Sequence, residues 1–184
     1  ELPAPLVGGC ATCRARYNHG MPATFSIRPA TAADGAFLGD MVVEAANWSP
    51  GRSRPRYEVL NAPEHGRYVS GWMRPGDAGF VASDPQGEPI GAAWYRMFPR
   101  SDPGFGYVGT GVPELIIGVR PIWRAHGVGR ALLRALSDNA RAAGFARLSL
   151  SVERGNFAAV FYRTEGFAVV QSGFGRDTMV KRLR

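Results

Sequence analysis

Pro113-Glu114-Leu115-Ile116-Ile117-Gly118-Val119, followed by Arg124-Ala125-His126-Gly127-Val128-Gly129-Arg130-Ala131-Leu132-Leu133, decides how this chain folds. The first segment is a short apolar run of the kind that fills a buried strand, and the second is a glycine-punctuated loop passing into a helix. A helix entered this way leaves several backbone N–H groups unpaired at the positive end of its dipole. That arrangement suits a phosphate or pyrophosphate. The loop has no Lys where a P-loop needs one, and its G-x-G is too short for the dinucleotide fingerprint. A third kind of phosphate cradle remains.

Outward from this stretch, alternating and 3.6-residue patterns parse the rest of the chain. Thr24–Arg28 alternates as a strand, and Thr31 with Asp34 has the spacing of a capping box before an apolar helical face running to about Asn47. Trp48–Tyr57, rich in Pro, Gly and Arg, is expected to be a loop, and a weaker helical stretch runs from Pro63 to about Met73. Gly79–Ala82 and Pro89–Met97 are strands joined by the turn Asp84-Pro85-Gln86-Gly87. Ser101–Gly111 is a glycine-rich loop. Val128–Ala143 is a helix stopped by Gly144. Ala146–Val152 is a strand, and Asn156 can cap a helix ending at Gly166. Phe167–Gln171 and Thr178–Leu183 complete the set. The order predicts an α+β fold, one mixed sheet with helices on both faces.

The 184 residues suffice for one domain with a sizeable core, and 45% hydrophobic with 20% charged residues is ordinary for a globular protein. No apolar run reaches the roughly 18 residues of a membrane span. The net charge is +7, and 21 of the 22 basic residues are Arg, with Lys181 the exception. The arginines are spread along the chain rather than clustered with aromatics, which argues against a nucleic-acid partner. GC-rich coding accounts for the skew, although part of the surplus can serve a polyanionic cofactor. Cys10 and Cys13 form C-A-T-C with His19 nearby, half of a metal site at most. The expectation is no metal, a disordered leader over residues 1–23, and a domain over 24–184 working in the cytoplasm.

Two motifs together resemble the GNAT superfamily of acyl-CoA-dependent N-acetyltransferases. One is Arg124-x-x-Gly127-x-Gly129 after a V-x-P-x-W strand exit, Val119 to Trp123. The other is Asn156-Phe157-Ala158-Ala159-Val160-Phe161-Tyr162-Arg163-Thr164-Glu165-Gly166-Phe167, similar to the family's N-x-A-x-x-x-Y-x-x-x-G-F block. The resemblance spans Ile27 to Arg184. It implies acetyl-CoA as co-substrate, with its pyrophosphate on the N–H groups of Ala125, His126, Gly127, Val128, Gly129 and Arg130. Arg124 and Arg130 are placed near phosphate oxygens, and Asn156 on the pantetheine arm. Ile117, Gly118 and Val119 would pair with the pantetheine amides like an added strand. Gly118 is equally readable as a packing glycine.

The same resemblance makes Tyr162 the general acid that protonates the departing thiolate, a role worth roughly 10²–10⁴-fold. By periodicity alone Tyr162 is a core residue. Glu114 is the candidate base, with a solvent-facing strand-end carboxylate as the alternative. A base matters because deprotonating an ammonium of pKa near 10.4 at neutral pH costs about 4 kcal/mol, against under about 1 kcal/mol for an α-amine. Ribosomal-protein N-terminal acetyltransferases of this superfamily carry Glu five residues before the motif asparagine, and this chain has Ser151. The departure argues against a peptide N-terminus as acceptor. Acceptor contacts are expected from Asn47–Trp72 and from Trp94, Tyr95 and Phe98. The expectation is a bacterial enzyme that acetylates a primary amine of a small molecule by direct attack in a ternary complex. A non-catalytic acyl-CoA-binding module and a protein or peptide acetyltransferase are the alternatives; a homodimer stays open.

Overall fold

The computed structural model describes residues 24–184. The expected leader, with Cys10, Cys13 and His19, lies outside the described residues. Strand β1 (Ser26–Pro29) leads through a Thr31–Asp34 capping box into α1 (Gly35–Ala46), as the spacing predicts. Asp34 accepts from the Thr31 N–H at 2.6 Å and from Arg28 at 2.7 and 2.9 Å, which draws its carboxyl down to about 2.

The next stretch differs from expectation. Helix α2 (Arg56–Asn61) begins inside the presumed loop, and α3 (Pro63–Gly66) ends well before Met73. Two prolines set the breaks, Pro55 preceding α2 and Pro63 at the start of α3, where a missing N–H costs nothing. The chain then wraps through turns to residue 77. The Arg96 guanidinium, fully buried against Asp77 at 2.6 Å, also donates to the carbonyls of Arg67 and Ser70. That contact holds the segment carrying Tyr68 against the sheet.

Strands β2 (Ala78–Ser83), β3 (Pro89–Arg96), β4 (Glu114–Val119), β5 (Arg147–Glu153), β6 (Ala168–Gly173) and β7 (Arg176–Arg182) join β1 in one sheet. Its order is β1-β2-β3-β4-β5-β7-β6, and every pairing is antiparallel except β4 with β5. A parallel pair needs a crossover, supplied here by α4 (Val128–Ala142). The fold is therefore α+β, as the element order predicts, with α5 (Ala158–Thr164) before the last hairpin.

Helices cover both faces. On β3, Ala93 and Tyr95 join the core under α4 with Leu132, Leu133 and Leu136, while Ala92 and Trp94 join the core under α1 with Leu38, Met41 and Val42. The period-2 alternation of a strand buried on both sides explains why this segment reads as nearly continuous apolar sequence.

Candidate active site

Strands β4 and β5 pair at a single register position, Glu114 with Ser149, beside the bond from the Ser149 N–H to the Pro113 carbonyl at 3.0 Å. Beyond that rung they diverge and open a cavity of about 360 Å³. Arg120 donates to the Ile90 carbonyl at 2.8 Å, which fixes the phase of the β3–β4 ladder. By antiparallel alternation, Gly118 and Ile116 bond to β3, while Ile117 and Val119 turn their N–H and C=O groups toward the cleft. At Gly118 the packing reading has a direct contact behind it. A Cβ there would sit 2.7 Å from the Met41 carbonyl oxygen, so this glycine lets α1 pack on β4.

At one end of the cleft lies the glycine loop. Ala125 and Gly127 both adopt left-handed backbone, φ 62° and 84°. Among the described residues no group accepts from the N–H of Ala125, His126, Gly127, Val128, Gly129 or Arg130. The first closed turn is Ala131 N–H to Gly127 C=O at 3.0 Å. These donors form a cradle at the start of a 15-residue helix. Around Gly129 a Cβ would meet only ordinary contacts, so packing does not require a glycine there. The side chains of this end are already engaged. Arg124 pairs with Glu44 across the cleft at 3.0 Å, Arg130 pairs with Glu165 at 2.6 Å, and His126 Nδ1 lies 2.7 Å from the Arg124 carbonyl. The loop offers backbone rather than free guanidinium groups. Asn156 lines the cleft and its Oδ1 accepts the Ala158 N–H at 2.9 Å, a capping bond to α5, which starts one residue later than expected.

At the other end sits Glu114, only 2% exposed rather than facing solvent. Its Oε1 accepts from the Tyr68 hydroxyl at 2.7 Å and from the Gly106 N–H at 2.8 Å. Its Oε2 is buried with no hydrogen-bond partner. Burial outweighs the two hydrogen bonds and pushes the carboxyl up to about 7, so it is about half protonated at neutral pH. The glycine-rich loop owes its composition to this contact. A Cβ on Gly104 would collide with Oε2, and one on Gly106 would sit 2.6 Å from the Leu150 backbone. Tyr162, on α5, lines the same cleft, and burial raises its phenol above the ordinary 10.0. Its hydroxyl has no hydrogen-bond partner among the described residues.

Several residues at this end were invisible in the sequence. Glu153 accepts from Arg52 at 2.8 Å, from Arg176 at 3.0 Å and from the Trp48 indole at 3.0 Å. Arg176 also donates through Nε to Ser151 Oγ at 3.0 Å, and its guanidinium lies 4.2 Å from the Phe105 ring centroid. Tyr68, Glu153 and Arg176 come from α3's exit, β5 and β7, and no local spacing links them. Of the aromatics expected to meet the acceptor, Trp48 and Tyr68 line the cleft. Trp94, Tyr95 and Phe98 are core residues, at 0%, 2% and 6% exposure, while Tyr57 points to solvent. Trp94 and Tyr95 alternate along β3 into the two cores, and Phe98 just beyond it joins that of Trp94. Among the described residues no cluster of three His, Cys, Asp or Glu side chains is close enough to hold a metal, and no helix is long and apolar enough to cross a membrane.

Comparison with known proteins agrees with this architecture. Residues 40–167 match the Acetyltransferase (GNAT) family. The L-methionine sulfoximine/L-methionine sulfone acetyltransferase of Pseudomonas paraeruginosa is 37% identical over 138 residues, 73% of this chain and 66% of that protein. The mycothiol acetyltransferase of Cellulomonas flavigena is 31% identical over 136 residues, 65% of this chain but only 38% of that longer protein. The chain thus spans well under half the length of this relative. Among solved structures, the PaiA N-acetyltransferase of Thermoplasma acidophilum in complex with coenzyme A superposes with a TM-score of 0.61. That match covers 86% of this chain and 99% of the other at 18% identity, a likeness of fold. With a splayed β4–β5 pair, a glycine loop opening α4 and a family match over most of its length, the chain belongs to the Acetyltransferase (GNAT) family.

Proposed function

We propose that this protein transfers the acetyl group of acetyl-CoA to a primary amine of a small molecule, by direct attack in a ternary complex in the cytoplasm. The observation that carries the reading is the cleft itself. The cavity lined by Glu114 and Tyr162 reaches Arg124, where the backbone cradle suited to pyrophosphate begins. Between them, Ile117 and Val119 offer the spacing of a strand edge to the amides of an extended pantetheine arm. The names of the two curated relatives support a small-molecule acceptor.

The chemistry then divides between two groups. The neutral amine attacks the thioester carbon, forming the C–N bond, and the nitrogen sheds its extra proton to Glu114 directly or through water. A carboxyl near 7 exchanges protons readily at neutral pH. The C–S bond breaks and the electron pair stays on sulfur. Full transfer from a phenol at or above 10 to a thiolate of about 8.5 is uphill by roughly 2 kcal/mol or more. Tyr162 therefore acts by hydrogen-bonding the sulfur as charge develops, and the shed amine proton completes the free thiol. Products are the acetamide and the coenzyme A thiol.

Calorimetric titration with acetyl-CoA tests the donor, and thiol release across an amine panel tests the reaction. Micromolar binding with amine-dependent thiol release is expected. Absence of binding below millimolar concentration would overturn the reading, and binding without release from any amine would leave a non-catalytic module.

A further inference from the structure

We infer that the acceptor is an amino-acid-like anion, an amine carrying a nearby carboxylate, and that Arg176 is the residue that recognises it. This rests on the acetyltransferase reading above and narrows its substrate class.

Arg176 is an unusually constrained arginine. Its Nε is held by Ser151 Oγ, its Nη1 by Glu153, and one face by the Phe105 ring. Such anchoring removes most of the rotamer freedom that normally weakens an arginine contact. Among the described residues Nη2 takes no partner, and the side chain lines the cleft at 26% exposure. A planar guanidinium with one presented edge is suited to a carboxylate.

Position and charge agree. The guanidinium reaches Ser151, two residues or about 7 Å along β5 from Ser149, the residue opposite Glu114. A short molecule can therefore reach both, its amine near Glu114 and its acid at Arg176. Among the described residues, Glu153 is the carboxylate that pairs with Arg176, and it is already shared with Arg52 and the Trp48 indole. With two arginines on one carboxylate, the rim carries a surplus positive charge. A polyamine or aminoglycoside would bring a second cation against it, whereas a carboxylate neutralises it.

The test is thiol release with matched acceptors: phenylalanine against phenylalaninamide and phenethylamine, and leucine against leucinamide and isoamylamine. The amino acid of each set should exceed its uncharged or decarboxylated partners at least tenfold in kcat/KM. In R176Q that ratio should fall toward one, mainly through a raised KM for the amino acid, and R176K should restore part of it. Hydrocinnamate, the acid lacking an amine, should inhibit wild-type protein competitively against the acceptor, which keeps the inference testable if R176Q fails to fold. Equal or better turnover of the amides and amines, an unchanged ratio in R176Q, or no competition by hydrocinnamate overturns the inference while leaving the acetyltransferase reading intact. Acetyl-CoA binding without turnover of any acceptor sinks both.

Discussion

The two ends of the cleft are built on opposite principles. At the glycine loop, six consecutive residues present N–H groups, and the side chains nearby are tied into ion pairs of their own. At the Glu114 end the backbone supplies one donor, Gly106, and side chains from the α3 exit, β4, β5, α5 and β7 converge. The first end is local in sequence and exposed; the second is assembled over long separations and buried. Local backbone geometry suits a ligand part common to many enzymes, because it needs few particular side chains. Converging side chains can be exchanged one at a time, which suits the part that differs between enzymes.

Tyr162→Phe should divide the two ends most sharply. Turnover is expected to fall by roughly 10²–10³-fold, the cost of losing one hydrogen-bond donor to developing charge, while acetyl-CoA affinity by calorimetry stays within about twofold. A parallel loss of affinity would mean that the ends are not separable.

Glu114→Gln probes the buried end through pH. The Glu114 carboxyl goes from 4.5 unfolded to about 7 folded, so the native state holds a proton that the unfolded chain has lost. The associated stability is fully present below about 4.5 and is lost as pH rises through about 7, a change of about 3 kcal/mol. Denaturant titrations should show that decline in the wild type and a flatter profile in the variant. Acetylation by the wild type should rise with pH through about 7, and the variant should be slower and lack that limb.

Gly127→Ala strikes the other end. Left-handed backbone with a Cβ costs roughly 1–2 kcal/mol, and a loop that relaxes out of it no longer aims its N–H groups together. Weaker acetyl-CoA binding with unchanged KM for the amine is expected, and an acceptor effect of the same size would contradict the division. Asp34→Asn touches neither end. Loss of the Arg28 pairing should cost about 1 kcal/mol near neutral pH without altering either KM. The wild-type contribution disappears as pH falls from about 4 toward 2, because this carboxyl is lowered rather than raised.

The contrast also explains what could be read in advance. The glycine loop, the β4 run and the Asn156–Phe167 block are short-range patterns, so strand, loop and helix were legible with boundaries good to a residue or two. The same holds for the Asp84–Gly87 turn, where the Asp84 side chain accepts the N–H groups of Gln86 and Glu88. Glu114 was legible as a candidate but not its burial, because the Gly104–Gly106 segment that covers it is distant in chemistry from any strand signal. Arg176 gave no sign, since one arginine among 21 becomes distinctive only through Ser151, Glu153 and Phe105. Ser151 departs from a family pattern in sequence; in space it supports that arginine. The α2–α3 region departs from its helical pattern because prolines and tertiary contacts, rather than helical periodicity, shape it.

The single rung between β4 and β5 has a consequence for the mechanics of the whole sheet. Seven strands hydrogen-bonded as one order behave as two plates, β1 to β4 and β5 to β6, hinged at Glu114 and Ser149. Ile117 and Val119 then form an edge inside the molecule, where amide protons exchange with solvent unless something pairs with them. Hydrogen exchange should slow at those two amides on adding acetyl-CoA, and unfolding should become more cooperative, because the bound arm bolts the plates together. Slowed exchange at those two amides would make the donor a temporary strand of the sheet as well as a reactant.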